Sequence, residues 1–399
     1  MSDFTHGDCD ILIGDCLSRL KDLPDNSVHC VVTSPPYFGL RDYNAEGQIG
    51  LEKTYEEFID KLVEICREVR RVLHPSGTFW LNVGDSYAGS GGPGSQYDKA
   101  ETSLKGEFKK YDNPNRKVAN LKSKDLMMIP ARLAIALQDD GWWLRSDIIW
   151  HKPNPMPESV RDRPTRTHEH IFLLTKSAKY FYDSHAISEK ANTPAGATWQ
   201  ERKEAGATAG NIGVSDTYQR GVHGDGSAGS NLTRQDGLRN KRDVWVVNTK
   251  PFKGAHFAVY PPELIEPCIL AGTSAVGCCS KCGNPHTRII ETGGSNWEQR
   301  KKEGAPMRYG LDSSKGTAAN RMGEVTTKTV GWESGCECNA DIIPCTVLDP
   351  FGGSGTTAGV AIKHGRKAIL CELNEEYAKL IPNRIDSITG FKTSNAKWL

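Results

Sequence analysis

Three groups of residues have types and spacings suited to chemistry. The first is Thr33-Ser34-Pro35-Pro36-Tyr37, which follows the apolar run that starts at Val28. Two successive prolines surrender two backbone donors and stiffen the chain just past a strand, although taken alone the pattern also suits a rigid turn. The second is Asp349-Pro350-Phe351-Gly352-Gly353-Ser354-Gly355-Thr356-Thr357, set between a strand and a helix. Glycines there let backbone approach a ligand closely, and the first turn of the helix offers unpaired N–H donors. The dinucleotide pattern G-x-G-x-x-G is absent, because Gly353 and Gly355 are followed by Gly359 one position late, and no GK[ST] completes a phosphate loop. NAD and ATP are therefore disfavoured.

Downstream, the next strand ends in Cys371-Glu372-Leu373. A carboxylate at that tip, roughly twenty residues past the glycines, is placed to accept hydrogen bonds from ribose hydroxyls. A ligand with a ribose and no pyrophosphate fits this pair of features. S-adenosylmethionine is such a ligand: its carboxylate suits the helix N-terminus, its ribose suits Glu372, and its sulfonium tolerates an aromatic neighbour such as Phe351.

The third group is cysteine. Cys279-Ser280-Lys281-Cys282-Gly283 and Cys336-Glu337-Cys338 are two close pairs separated by a polar insert. Thiolates two or three residues apart hold one ion from a tight knuckle, and two knuckles complete a tetrahedral zinc site with a structural role. Two packing pairs are the alternative, and Cys278 is an alternative first ligand to Cys279.

The elements that must position these groups follow from hydrophobic periodicity. Asp10 to Ile13 and Val28 to Thr33 read as buried strands with a helix from Cys16 to Leu23 between them. Thr54 and Glu57 form a capping box that opens a helix running to Pro75-Ser76-Gly77, after which Thr78 to Val83 returns as a strand. Asp125 is positioned to cap a helix ended by Gly141; Trp142 to Trp150 and Ile171 to Thr175 read as strands. Near the C-terminus, Thr346 to Leu348 and Lys367 to Cys371 are strands, and Glu375 to Ile385 a helix. This alternation predicts an α/β protein with a doubly wound, mostly parallel sheet covered on both faces.

The paired motifs resemble those of the S-adenosylmethionine-dependent DNA amino-methyltransferases, and their order, catalytic motif before cofactor motif, is similar to the beta group. Further matches are Ile13-Gly14-Asp15, Gly77 to Asp85, Trp150-His151-Lys152-Pro153-Asn154-Pro155 and His256 to Pro261. The resemblance implies a Rossmann-like methyltransferase fold with circularly permuted motifs. It also implies methyl transfer to the exocyclic amine of a flipped base in double-stranded DNA. Carried onto this chain, it assigns amine-accepting roles to Ser34 Oγ and the Pro35 carbonyl, rigidity to Pro36, and base stacking to Tyr37. It assigns the cofactor to Asp15, Thr33, Pro261, Asp349, Phe351, Gly352, Gly353, Ser354, Gly355, Thr356, Glu372 and Leu373. Asp15 as a helix cap and Glu372 as a solvated strand end are the plainer readings.

In the resembled family a serine before Pro-Pro-Tyr goes more often with N4 of cytosine, and Asp or Asn with N6 of adenine, which leaves N6-adenine as the alternative. Carbon-5 methylation needs a Pro-Cys nucleophile; Pro267-Cys268 and Pro344-Cys345 exist, but both cysteines sit in apolar surroundings that suit packing. A non-catalytic, zinc-containing nucleic-acid-binding protein is the reading from another class.

The expected layout is a catalytic half over 1–190 with a basic, Gly-rich loop at 88–122, a target-recognition insert at 191–242 and a return to the methyltransferase domain at 243–277. A zinc-knuckle-like insert at 278–340 and a cofactor-binding half at 341–399 complete it. A formal charge of +1 gives no overall field toward nucleic acid, so contacts with phosphates fall to local runs such as 99–124 and 299–302. No apolar run reaches bilayer length and MSDFTHGDCD lacks signal-peptide regions, which predicts a cytoplasmic, prokaryotic or phage-encoded protein with no membrane partner. A cognate restriction endonuclease is the partner the resemblance suggests.

Overall fold

The computed structural model describes residues 3–39, 47–89, 121–190, 238–250, 259–293, 326–390 and 397–398. Most of the basic loop expected at 88–122, most of the insert expected at 191–242, residues 251–258 and the basic run at 299–302 lie outside the described residues.

Contacts divide the chain into two units: Met1–Asp183, Arg242–Thr287 and Ser334–Leu399 form the first, Ser184–Lys241 and Arg288–Glu333 the second. The four paired cysteines thus lie in the first unit, while residues 288–333 between the pairs lie in the second.

Apart from the short pair Cys278–Cys279 and Ile342–Ile343, the described residues of the first unit form ten strands and seven helices. In chain order they are β1 (Phe4–His6), β2 (Cys9–Ile13), α1 (Cys16–Lys21), β3 (Val28–Thr33), α2 (Tyr55–Val72), β4 (Leu73–Val83) and α3 (Ile129–Asp139). There follow β5 (Trp143–His151), β6 (His168–Thr175), β7 (Val244–Val246), α4 (Pro262–Gly272), β8 (Thr346–Asp349), α5 (Thr356–Lys363), β9 (Lys367–Glu372), α6 (Glu375–Ala378), α7 (Ile381–Thr389) and β10 (Lys397–Trp398).

All ten strands form one sheet in the order β10-β1-β2-β9-β8-β3-β4-β6-β5-β7. The central run β2-β9-β8-β3-β4 is parallel, whereas β6 is antiparallel to both its neighbours and β1 to both of its own. The sheet is therefore mixed around a parallel centre. β8 and β9, from the end of the chain, slot between β2 and β3, from its beginning, with Val347 opposite Cys30 and Leu370 opposite Ile11.

Both faces of the centre are covered, and successive residues face opposite layers as pleating requires. Val31 and Phe79 join the core beneath α2, whose Phe58, Leu62, Ile65, Val69 and Val72 are buried with Leu133 and Leu137 of α3. Their neighbours Cys30 and Thr78 meet α4 instead: a Cβ on Gly272 would lie 2.3 Å from Thr78 Oγ1 and 2.8 Å from Cys30 Sγ.

Three local expectations are corrected. Thr54 caps α2 as expected, its Oγ1 accepting from Glu57 N at 3.2 Å, while Glu57 Oε2 reaches back to Lys53 N at 3.0 Å and not to Thr54 N; α2 ends at Val72, and Pro75-Ser76-Gly77 belong to β4. The register steps from Val28–Leu73 to Cys30–Thr78, so the proline sits in a bulge, where its missing donor costs no ladder bond. Asp125 does not cap α3; the amide of Ile129 donates to Asp85 Oδ1 at the tip of β4, 3.1 Å away. The C-terminal helix is two helices, α6 and α7, because Pro382 in the first turn of α7 cannot continue the α6 ladder.

In the second unit, Glu189–Lys190 pairs antiparallel with Leu238–Arg239. The strands Thr287–Gly293 and Thr326–Glu333 form a two-stranded sheet, with the Arg288 guanidinium 4.5 Å from the Trp332 ring centroid.

Candidate active site

In an open parallel sheet the ligand crevice lies beyond the carboxyl ends of the strands, where the winding direction reverses. Here β8 leads through α5 to β9 on one side, and β3 leads through α2 to β4 on the other, so the reversal falls between β8 and β3. β8 ends at Asp349, β3 at Thr33, β9 at Glu372, and β2 just before Asp15. The two motifs that lie more than 300 residues apart in the chain meet at this edge.

Thr33 donates to Asp349 Oδ1 at 2.5 Å, and both groups are buried. Asp349 Oδ1 also accepts from the amide of Phe351 at 3.0 Å; Oδ2 accepts from Thr357 at 2.6 Å and from the Tyr260 hydroxyl at 3.0 Å. Burial pushes the Asp349 carboxyl above the usual range, against the pull of these four donors. Thr33 and Pro35 line one small apolar cavity together with Pro350, Phe351, Leu62 and Phe79. Asp349 is thus the clasp that fixes the glycine loop to the end of β3.

The glycine loop is held closely. Gly355 has φ +88°, and a Cβ there would lie 2.8 Å from Ile381; a Cβ on Gly352 would lie 2.9 Å from that of Leu370. Among the described residues no side chain caps α5 or accepts from its first-turn amides. Ser354 and Thr356 are buried, and Thr356 Oγ1 accepts from Arg384 Nε at 3.2 Å. Glu372 is 8% exposed and accepts from Gly353 N at 2.7 Å and Asn374 N at 2.8 Å. Burial raises its pKa to about 7. Each of its oxygens retains an acceptor position beyond these bonds, so two ribose hydroxyls fit its remaining capacity. The uncapped helix end and this carboxylate together suit an amino-acid carboxylate and a ribose.

Asp15 behaves as the N-cap of α1, with Oδ1 accepting from Ser18 N at 3.0 Å and from Ser18 Oγ at 3.1 Å. It nonetheless stands at the same strand edge. Leu373 follows Glu372 directly, and Pro261 is the N-cap of α4, next to Tyr260.

Beyond β3, Ser34 to Tyr37 run without regular structure, with Ser34 half-buried and Pro35 buried. Phe38 anchors the segment against Phe58 of α2, ring centroids 5.5 Å apart. The Tyr37 ring lies over Gly84, where a Cβ would come within 2.5 Å of Cε2. Its hydroxyl donates to Glu169 Oε2 at 2.6 Å. The same oxygen accepts from Asn82 Nδ2 at 3.2 Å, and the other carboxylate oxygen pairs with Lys152 Nζ, which lies 4.3 Å from the Trp150 ring centroid.

This Tyr37–Glu169 network explains why Asn82, Gly84, Trp150 and Lys152 stand in the motifs that accompany the two main ones. Glu169 itself escaped sequence reasoning; the signal was Asn82, a polar residue inside the apolar run Thr78 to Val83, which demands a buried partner. Tyr260 was likewise visible only as part of a motif and not as a ligand of Asp349. The four cysteines Cys279, Cys282, Cys336 and Cys338 converge, while Cys278 lies instead with His29 and Cys345. Cys268 and Cys345 are both buried.

A sequence family described as DNA methylase matches residues 28–277 and 345–383. The type II methyltransferase M.Cfr9I of Citrobacter freundii is 38% identical over 372 residues, spanning 93% of this chain and 86% of its own. M.SmaI of Serratia marcescens is 36% identical over 377 residues, 94% of this chain and 90% of its own. M.XycI of Xanthomonas campestris pv. cyanopsidis is 50% identical over 260 residues, 65% of this chain and 71% of its own. Among solved structures, the cytosine-N4-specific PvuII DNA methyltransferase covers 97% of this chain and 92% of its own with a TM-score of 0.51 at 15% identity, a likeness of fold.

Proposed function

This chain belongs to the DNA methylase family, and on that premise we propose that it moves a methyl group from S-adenosylmethionine to the exocyclic amine of a flipped base, N4 of cytosine. The observation that carries the reading is the Thr33–Asp349 bond of 2.5 Å, because it brings the Ser34-Pro35-Pro36-Tyr37 segment beside the glycine loop in one crevice. When bound, the cofactor supplies an electrophilic methyl group on a sulfonium.

The residues of the chain supply position and acceptors. The first-turn amides of α5 and the glycine backbone receive the cofactor carboxylate, and Glu372 receives the ribose hydroxyls. An exocyclic base amine is a poor nucleophile because its lone pair is delocalised into the ring. Ser34 Oγ and the Pro35 carbonyl accept hydrogen bonds from its two N–H groups, favour a tetrahedral nitrogen, and so free the lone pair toward the methyl group. As the N–C bond forms the S–CH3 bond breaks, leaving S-adenosylhomocysteine, and one amine proton is released to solvent. The proline pair keeps that carbonyl fixed, which makes the acceptor preorganised and not merely available. Flipping the base out costs a few kcal/mol, and stacking on Tyr37 returns about 1–3 kcal/mol. Gly84 under the ring and Glu169 at its hydroxyl hold that platform in place.

The choice of cytosine rests on Ser34, and target recognition is assigned to the second unit, which contains most of the polar segment 191–242. Beta-group membership and the permuted motif order rest on the same placement of Ser34 to Tyr37 before the glycine loop in the chain.

The test is transfer of a labelled methyl group to DNA, followed by digestion to nucleosides. N4-methylcytosine is expected. N6-methyladenine would overturn the choice of base, and no transfer with any DNA would overturn the reaction.

A further inference from the structure

The sulfur atoms of Cys279, Cys282, Cys336 and Cys338 all lie within 4.8 Å of one another. A regular tetrahedron of thiolates at about 2.3 Å from zinc has sulfurs about 3.8 Å apart, so the four are already near that spacing. Apolar packing does not account for the gathering, since Cys282 is exposed and Cys336 and Cys338 are half-exposed.

The backbone around them is built like a ligand cradle. Gly283 adopts φ +74° and donates to the Cys279 carbonyl at 2.9 Å, which closes a tight knuckle around the first pair. Cys278–Cys279 pairs antiparallel with Ile342–Ile343, and Ser280 N donates to Asp341 O at 2.9 Å, which brings the second pair alongside. Asn284 Nδ2 donates to the Gly335 carbonyl across the mouth of the segment 283–335.

Two stacked histidines, with ring centroids 5.7 Å apart, seat the first knuckle on the sheet. His29 of β3 bonds the Gly283 carbonyl through Nε2 at 2.9 Å while its Nδ1 accepts from Thr346 N at 3.0 Å. His74 of β4 bonds the Cys282 carbonyl through Nε2 at 3.1 Å, with its Nδ1 accepting from Ser76 N at 3.2 Å. Both rings therefore donate from Nε2 and serve the backbone that carries the thiols. His29 lies on β3, five residues before Ser34, which follows the end of that strand about 17 Å away at 3.3 Å per residue.

We propose that Cys279, Cys282, Cys336 and Cys338 bind one zinc ion, which ties the two cysteine pairs together and, through His29 and His74, fastens the first knuckle to β3 and β4. With four protein thiolates the shell is complete, so the ion has no position for substrate and its role is structural. On binding, each thiol gives up its proton to solvent as its sulfur takes the metal, and no oxidation occurs.

Metal analysis of the full-length protein, purified without chelator, is the test. About one zinc per chain is expected in the wild type, below a tenth of that in Cys336→Ser and in Cys338→Ser, and an unchanged content in Cys278→Ser, whose sulfur lies outside the cluster. Cobalt added to the chelated wild type should give the strong visible bands of tetrahedral thiolate coordination, a readout that needs no variant to fold. A wild type that folds without metal, holds iron in place of zinc, yields disulfides among the four cysteines, or keeps its zinc in the two variants would overturn the inference. Metal content is read without methyl transfer: a chain with one zinc and no transferase activity supports this inference while removing the proposed function, and an active chain without zinc does the reverse.

Discussion

Thr33→Val isolates the contact on which the active-site geometry depends. Valine keeps the volume and β-branching of threonine in a fully buried strand, so the change removes one hydroxyl donor and little else. That hydroxyl lies 2.5 Å from Asp349 Oδ1, and losing it leaves the carboxylate with the Phe351 amide and the Thr357 and Tyr260 hydroxyls. Burial already holds the carboxyl pKa high, so the lost bond falls between the neutral and charged cases, about 1–2 kcal/mol of stability. Catalysis should suffer more than that. Thr33 adjoins Ser34 and Asp349 begins the glycine loop, so a relaxed contact displaces acceptor and methyl donor relative to each other, with an expected loss of about 10- to 100-fold in single-turnover rate. Urea denaturation and single-turnover transfer on Thr33→Val, Asp349→Asn and the double variant complete a cycle. A coupling of at least about 1 kcal/mol is expected. Additive stabilities within about 0.5 kcal/mol, or a rate within twofold of wild type, would refute the role given to this contact.

At Tyr37, alanine removes the stacking surface, and transfer efficiency should fall roughly 5- to 150-fold, the equivalent of about 1–3 kcal/mol. Phenylalanine keeps the ring, loses the hydroxyl with its 2.6 Å bond to Glu169, and should stay within about tenfold of wild type; equal losses in both variants would argue against stacking. Gly84→Ala places a methyl 2.5 Å from the Tyr37 ring and should lower transfer while sparing cofactor affinity by calorimetry. At Glu372 the folded pKa of about 7 lies above its ordinary 4.5, so its contribution to stability is present at low pH and lost as pH rises between those values, about 3 kcal/mol in all. Cofactor hydroxyls favour the ionised form, so affinity should climb with pH up to about 7 and then level off; Glu372→Gln should weaken binding and flatten that profile, and an unchanged profile would count against a ribose contact.

Local features were legible in the chain because local physics sets them. The helix cap at Thr54, the buried run of β3, the strand–glycine–helix passage at 346–363 and the knuckle spacing of Cys279 and Cys282 each rest on neighbours a few residues away. Where sequence reasoning misplaced a boundary, a distant group had won. Asp85 rather than Asp125 takes the first amide of α3, and the bulge opposite Val28 lets Pro75 stay in a strand. Tertiary structure alone decided that β8 and β9 enter the sheet between β2 and β3, since pairing of strands more than 300 residues apart follows from how both faces are buried and not from any local preference. That insertion sets Asp349 against Thr33, and the folding of β6 beside β4 sets Glu169 under the Tyr37 hydroxyl. The amino-acid sequence by itself determined which chemical groups the protein owns; the long-range order of the sheet determined which of them share a crevice.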